Sequence, residues 1–276
     1  MKKIFKHFAL FLSLLLSTIS LFSCANINNN QTENSSPIVI LHAGGGYDGL
    51  TYLNAQETFN IYYQQGYRYF EYDVKLSSDG KIIGSHAGEH LGYATPEDLT
   101  YEEFKKLKLS NGLTPCNEEW LVQTMISHPD VKIIVDAKMN TTQGDIAVIQ
   151  RFEQLEGFYD LDYNDFSSSI IPEVFSLEMW NELKKTTTFE KYLFSHYKVY
   201  YSIDEMLEYF NDNRIFGISL PLWSDNYICS NIYKLKQAEK KIFIFTPTNK
   251  EEVNKAYSLD IDGLYVDFPN IVQIFD

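Results

Sequence analysis

Two histidines, three carboxylates and one lysine are the residues of this chain whose spacing could support catalysis. Glu71 and Asp73 stand two residues apart in Tyr67–Lys75, a run rich in aromatic and apolar residues. In a strand, residues i and i+2 share a face, so both carboxylates project the same way. Burying such a pair is costly without a cation or another partner. Asp136 closes the run Val131–Asp136 and supplies a third carboxylate. All-oxygen ligation of this kind suits a hard divalent cation, calcium or magnesium. Lys138 follows two residues later, His42 ends Ile38–His42, and His86 ends Lys81–His86. Singly, each has an ordinary explanation: an exposed edge pair, a helix or turn cap, a solvated charge, a hydrogen-bonding histidine. Their coincidence at the ends of strands is what indicates a site.

Nine short apolar runs read as strands: Ile38–His42, Tyr67–Lys75, Lys81–His86, Val131–Asp136, Ser168–Ile171, Lys191–Ser195, Ile215–Leu220, Lys241–Thr246 and Gly263–Asp267. Between them lie helix candidates at Asn54–Gln65, Tyr101–Lys106, Glu118–Ser127, Gln143–Glu156, Leu177–Thr186, Ile203–Asn211, Ile232–Lys240 and Lys250–Ser258. Uninterrupted runs such as IVIL, KIIV and KIFIF suit strands covered on both faces, as in a parallel sheet. The alternation over one long domain predicts an α/β fold, a TIM-type (β/α)8 barrel. Nine strands are one too many. Ser77-Ser78-Asp79-Gly80 has hairpin-turn chemistry, which makes Lys81–His86 a small hairpin insertion after the second strand. The competing doubly wound sheet would want a phosphate loop. Gly44-Gly45-Gly46 lacks the dinucleotide spacing and reads instead as a sharp turn.

The chain has 276 residues, 45% of them hydrophobic, and a formal net charge of −14. That acidity argues against nucleic-acid binding, or anionic-membrane binding, through a basic face. Residues 1–23 carry Lys2, Lys3 and Lys6 before an apolar run and read as a signal peptide. Leu21-Phe22-Ser23-Cys24 resembles a bacterial lipobox, which would make Cys24 the lipidated first residue; simple secretion is the alternative. Residues 24–37 then form a flexible polar tether, and 38–276 the barrel. Losing the three lysines takes the net charge from −14 to −17. The expected location is a bacterial membrane, the protein held outside the cytoplasm by its lipid anchor, in the periplasm or at the cell surface. With Cys24 acylated, only Cys116 and Cys229 remain to pair, and two buried thiols are the simpler expectation. Nothing in the sequence fixes an oligomeric state.

His42-Ala43-Gly44-Gly45, Asn54, Glu57, the segment Gly66 to Val74 with its Glu71-Tyr72-Asp73, Ser78-Asp79-Gly80 and His86 resemble the glycerophosphodiester phosphodiesterase family, of the phosphatidylinositol-phospholipase-C-like barrels. The similarity continues through Asp136-Ala137-Lys138, Ile171-Pro172-Glu173 and Thr246-x-x-Asn249, and closes with Asp262-Gly263-Leu264-Tyr265-Val266-Asp267-Phe268-Pro269. The resemblance implies metal-dependent cleavage of a small-molecule glycerophosphodiester to glycerol phosphate and an alcohol. It assigns His42 and His86 as general base and general acid, Glu71, Asp73 and Asp136 as metal ligands, and Lys138 to the phosphate. The chain departs from the family pattern at Ala43, where an arginine is usual, at Leu53 for a glutamate, and at Ala87 for an aspartate. Asp136 replaces a longer glutamate. Two other functions compete: a surface lipoprotein with weakened catalysis that binds phosphodiesters, and a phospholipase-C-like enzyme forming a cyclic phosphate. Of the remaining residues, His90 reads as a solvated loop residue with lining of the cleft as the alternative, Glu57 as structural and His128 as a cap. His196 and Trp223 are weaker candidates for the pocket.

Overall fold

The apolar runs fold as parallel strands. In a computed structural model, which describes residues 37–159, 163–199, 201–222 and 225–272, the strands are β1 (Ile38–Leu41), β2 (Tyr69–Leu76), β3 (Ile82–Gly84), β4 (Lys132–Ala137), β5 (Ile170–Val174), β6 (Tyr192–Ser195), β7 (Ile215–Pro221), β8 (Lys241–Phe245) and β9 (Gly263–Val266). Pairing runs β1-β9-β8-β7-β6-β5-β4-β2, and β1 also pairs with β2, which closes the parallel strands into a barrel. β3 lies outside the ring, antiparallel to β2, with Val74 opposite Gly84 and Leu76 opposite Ile82. The expected (β/α)8 barrel and its surplus hairpin strand are both present.

The helices are α1 (Gln56–Gln64), α2 (Tyr101–Phe104), α3 (Glu118–Ser127), α4 (Thr142–Tyr159), α5 (Tyr163–Ser169), α6 (Leu177–Thr186), α7 (Ile203–Phe210), α8 (Asp225–Gln237) and α9 (Lys250–Tyr257). Their starts follow side-chain capping. Thr100 with Glu103, and Ser202 with Glu205, form reciprocal capping boxes on α2 and α7. Asn117, Ser176 and Asn249 cap α3, α6 and α9. No helix among the described residues is long and apolar enough to cross a membrane.

Most boundaries shift by a residue or two, so that β1 and β3 end before His42 and His86, and three differences are larger. α8 begins at Asp225, well before Ile232, because a polar start signal outweighs the later apolar run. α5 occupies residues taken for loop and strand. β5 accordingly runs Ile170–Val174, past Ile171 and through Pro172. Pro172 stands opposite Val135 in the last pair of the β4 ladder, and the β6 ladder begins only at Glu173, so its missing N–H falls between the two.

The larger core lies between the barrel and its helices, around residues such as Phe59, Phe152, Trp180 and Phe194. A second layer fills the barrel itself: Ile40, Ile134, Ile171, Leu193, Phe243 and Tyr265. Two residues further along the same strands, or just past their ends, stand His42, Asp136, Glu173, Ser195, Phe245 and Asp267. Strand alternation keeps both sets pointing inward. The barrel interior therefore changes from apolar to largely polar at its C-terminal mouth, the end where barrels of this kind carry chemistry. The hairpin is fastened from outside by Glu118. Its buried carboxylate takes two bonds from Arg151 (2.8 and 2.6 Å), one from Lys81 and one from the Ile82 N–H. Cys116 is a buried free thiol. The signal peptide, Cys24, nearly all of the tether, Trp223 and the Cys229 side chain lie outside the described residues.

Candidate active site

The site begins with a reversal of the chain after β1. His42–Gly44 make a single short 3-10 turn whose last residue, Gly44, and the Gly45 that follows it stand at φ of +75° and +87°. A Cβ on Gly44 would meet the Tyr72 ring at 2.7 Å, so the glycines are a tight turn, as their sequence context suggests. Ala43 is itself left-handed (φ +48°) and directs its N–H to Glu71 Oε2 at 2.7 Å. Tyr52 and Asn54 are left-handed as well, at +56° and +48°. Such residues cost on the order of 1–3 kcal/mol each and collect at functional sites. Here each one aims a group at the mouth of the barrel.

Glu71 and Asp73 share the inner face of β2, and Asp136 is directly beside Asp73 in the β2–β4 register. One oxygen from each of the three lies within 4.8 Å of the others, the only group of three such ligands among the described residues. Glu71 Oε1, Asp73 Oδ1 and Asp136 Oδ1 are buried and take no hydrogen bond. The second oxygens are used: Glu71 by Ala43, Asp73 by the Asn54 amide (3.1 Å), Asp136 by Lys138 (2.6 Å). Asn54 also accepts the Asp73 N–H at 2.9 Å, which fixes that carboxylate from both ends. Three converging buried carboxylate oxygens that take no hydrogen bond suit a hard divalent cation, with the Lys138 ammonium as a neighbouring positive charge on Asp73.

The charges behave as such a cluster requires. Burial, with repulsion from Asp73 and Asp136, pushes the Glu71 carboxyl well above the usual range. Burial likewise raises Asp136, and Lys138 only partly offsets it. Burial opposes Asp73 too, but Lys138, His42, His86 and Asn54 together hold it below the ordinary value. Burial works against the Lys138 ammonium, and the attraction of Asp136 and Asp73 outweighs it, keeping the lysine firmly charged. It stands 3.3 Å from Asp73 Oδ1 and donates to the Tyr197 hydroxyl at 3.1 Å.

Both histidines are oriented by a carboxylate. His42 Nδ1 lies 2.7 Å from Asp267 Oδ1, and His86 Nδ1 lies 2.7 Å from Glu89 Oε1. An ionised carboxylate only accepts, so each Nδ1 carries a proton and each Nε2 is the nitrogen not engaged by that carboxylate. Tyr52 stands between the imidazoles, its ring centroid 4.9 Å from His42 and 4.7 Å from His86. Burial lowers the His42 pKa, but the Asp267 bond and the nearby Asp73 charge outweigh it, for a net rise. Asp267→Asn is therefore expected to move the His42 titration to lower pH. Imidazole NMR signals followed across pH would show this, and an unmoved titration would mean that Asp267 does not set the basicity of His42.

The fold thus gathers His42, His86, Glu71, Asp73, Asp136 and Lys138 around one mouth. A cleft of about 240 Å³ is lined by both histidines, Asp136, Lys138, Tyr52 and Tyr197. The departures from the expected motif have structural answers. Leu53 belongs to a small apolar cluster with Ile83, Leu91 and Phe104, away from the carboxylates. Where an aspartate after His86 is missing, Glu89 supplies the carboxylate and also accepts the Ala87 N–H. Asp136, one methylene shorter than glutamate, still reaches the group. No guanidinium replaces the one absent at Ala43 in the lining of the cleft.

Sequence reasoning missed Tyr52, Glu89 and Glu173, and gave Asp267 no role. Glu173 points into the cleft and accepts from the Tyr265 hydroxyl at 2.6 Å. Burial and the Asp136 charge push its pKa up to about 8. Period two from Ile171 would have found it, had Pro172 not been read as a strand end. His196 bonds to the Tyr201 backbone and His90 to the Thr51 carbonyl. His128 caps α3, and Glu57 binds Thr114.

Comparison with known proteins bears on the family and the fold. The model of the glycerophosphoryl diester phosphodiesterase family matches residues 42–271. No curated protein sequence matches the chain. Among solved structures, a glycerophosphodiester phosphodiesterase from Thermotoga maritima is 23% identical, with a TM-score of 0.63 over 85% of this chain and 96% of that one. One from Parabacteroides distasonis is 18% identical, with a TM-score of 0.64 over 88% and 86%. A phosphodiesterase from Oleispira antarctica, solved with the product sn-glycerol-3-phosphate, is 17% identical, with a TM-score of 0.63 over 84% and 94%. At these identities the likeness is one of fold.

Proposed function

The chain belongs to the glycerophosphoryl diester phosphodiesterase family and so to the phosphoric diester hydrolases, and from that premise we propose that it cleaves glycerophosphodiesters to glycerol phosphate and an alcohol by metal-assisted acid–base catalysis. The observation that carries the reading is the convergence of three buried carboxylate oxygens that take no hydrogen bond, near two histidines whose Nδ1 atoms are each engaged by another carboxylate. Glu71, Asp73 and Asp136 would hold a calcium or magnesium ion, which when bound supplies positive charge against the phosphate.

The protein's own groups divide the remaining work. Lys138, held charged between Asp136 and Asp73, faces the phosphodiester and meets the negative charge that grows in the transition state. His42, with its Nδ1 proton engaged by Asp267, accepts a proton at Nε2 from the nucleophile. His86, its Nδ1–H engaged by Glu89, enters as the imidazolium and gives its Nε2 proton to the departing alkoxide, ending neutral. Tyr52 keeps the two rings apart and walls the cleft. The product bound in the Oleispira antarctica structure, sn-glycerol-3-phosphate, is the fragment expected to remain here. Phosphorus NMR of glycerophosphoglycerol incubated with the enzyme and magnesium tests the reading. The diester signal should give way to that of a phosphomonoester. A cyclic phosphate as end product would assign the phospholipase-C-like reaction, and an unchanged diester would refute hydrolysis.

The location we propose is outside the cytoplasm, with the barrel held to a membrane by acyl chains on Cys24. Support comes from the apolar run ending at Leu21-Phe22-Ser23-Cys24 and the polar sequence after it. Each acyl methylene contributes ~0.8 kcal/mol in the bilayer, so two or more chains hold firmly. A formal charge of −17 on the chain from Cys24 onward argues against attachment through basic residues. Mass spectrometry of the mature N-terminus decides: acylated Cys24 is expected, and an unmodified N-terminus at another residue would end the lipoprotein reading.

A further inference from the structure

Beyond Lys138 the cleft opens into a second cavity of about 430 Å³, which shares His86, Lys138 and Tyr197 with the catalytic one. A phosphodiester held at Lys138 extends its two ester arms to opposite sides of phosphorus. On the reading above, His86 protonates the departing oxygen, so the departing alcohol lies in this second cavity. The metal-ligand Asp136 and His42 border the first cavity alone, on the side of the retained glycerol phosphate.

The wall of the second cavity carries the two features that recognise an alkylammonium group: an aromatic face, Phe175, and a buried carboxylate, Asp145. Both are already occupied. The Lys198 ammonium lies 3.7 Å from the Phe175 ring centroid and 2.9 Å from Asp145 Oδ2, and it donates to the Ala137 carbonyl at 3.3 Å. Asp145 is the only acid among the described residues lining this cavity. Its other oxygen accepts the Met139 N–H. The neighbouring aromatic, Tyr197, packs edge-on to Phe175 at 5.5 Å, and its hydroxyl is engaged by Lys138. A cationic head group entering here would meet like charge and find its natural partners taken.

We propose that Lys198 is a built-in cation that makes the alcohol subsite reject alkylammonium alcohols such as choline and accept uncharged polyols such as glycerol. The hydroxyls of Thr141, Thr142 and Ser176 line the same cavity and offer partners to a polyol. Lys198 is a specificity-determining residue, not a participant in the chemistry, and its effect belongs in relative kcat/KM.

The test compares sn-glycero-3-phosphoglycerol with sn-glycero-3-phosphocholine. The wild-type enzyme should favour the glycerol ester by about tenfold or more, the worth of one desolvated cation–aromatic contact. Lys198→Met keeps the apolar stem over Phe175 and removes the charge, so the ratio should collapse toward or past unity. Lys198→Arg should retain it. Because Lys198→Met leaves Asp145 unpaired, Lys198→Met/Asp145→Asn is measured beside it: rejection of choline should again be lifted, without the gain that a free carboxylate gives. Binding of tetramethylammonium, followed by calorimetry, reads the same pocket without turnover; it is expected in Lys198→Met and absent in the wild type. A wild-type preference for the choline ester, or an unchanged ratio in both charge-removing variants, would overturn the proposal. Failure of the wild type on both esters would instead strike the phosphodiesterase reading, while the tetramethylammonium result still judged the pocket.

Discussion

Replacing His42 or His86 by alanine is expected to leave the barrel folded and to lower turnover by ~100-fold or more, the range for a positioned acid or base. Both side chains lie at the mouth of the barrel and contribute little to the packed layers below, where Ile40 and Ile134 sit. Circular dichroism and melting should therefore be close to wild type. The two losses should differ in pH dependence. His42 must be neutral to accept a proton, and Asp267 and Asp73 raise its pKa, so activity that depends on it fails as pH falls through that raised value. An aryl leaving group, which departs without protonation, should restore much of the activity of His86→Ala and none of that of His42→Ala. Full turnover by both alanine variants would reduce the histidines to structural residues.

The second large effect concerns the carboxylates. Glu71→Gln, Asp73→Asn and Asp136→Asn should each abolish turnover, yet without metal at least Glu71→Gln should melt higher than the wild type. The reason is self-repulsion: burial, Asp73 and Asp136 already hold Glu71 far above its usual pKa. A folded-state pKa raised above the unfolded one stabilises at low pH, and that stability is lost as pH rises through the folded value. For Glu173 the window runs from the ordinary carboxyl range up to about pH 8, and Glu71 and Asp136 add to the loss in the same direction. The metal-free wild type should accordingly weaken as pH rises into neutrality. Calcium or magnesium should restore the melting temperature by mass action. Each variant should lose that increment. Metal-dependent stabilisation persisting in one of them would remove that residue from the ligand set.

What could be read in the sequence was set by local periodicity. Glu71 and Asp73 share a face because strands alternate, and Asp136 with Lys138 repeats the spacing on the next parallel strand. Those relations need only a few residues of chain. The surplus strand was legible for the same reason, since Ser77-Ser78-Asp79-Gly80 announces a hairpin. The partners that tune the site are different. Asp267 meets His42 across 225 residues, a contact that exists only because β9 closes against β1. Tyr52 reaches both imidazoles through a left-handed backbone that its residue type does not advertise. Glu89 replaces an aspartate two positions away by folding back on His86. Glu173 was hidden by a proline that tertiary pairing tolerates. Closure and backbone strain are collective properties, and no local pattern carries them.

The central claim is that these groups work with a bound divalent ion to hydrolyse a phosphodiester. The direct measurement is release of glycerol phosphate from glycerophosphoglycerol by the purified protein through one chelation cycle. With magnesium or calcium present, product should accumulate catalytically; excess chelator should stop it, and added metal should restart it. Product formation that continues undiminished in chelator, or no product with either metal, would contradict the account.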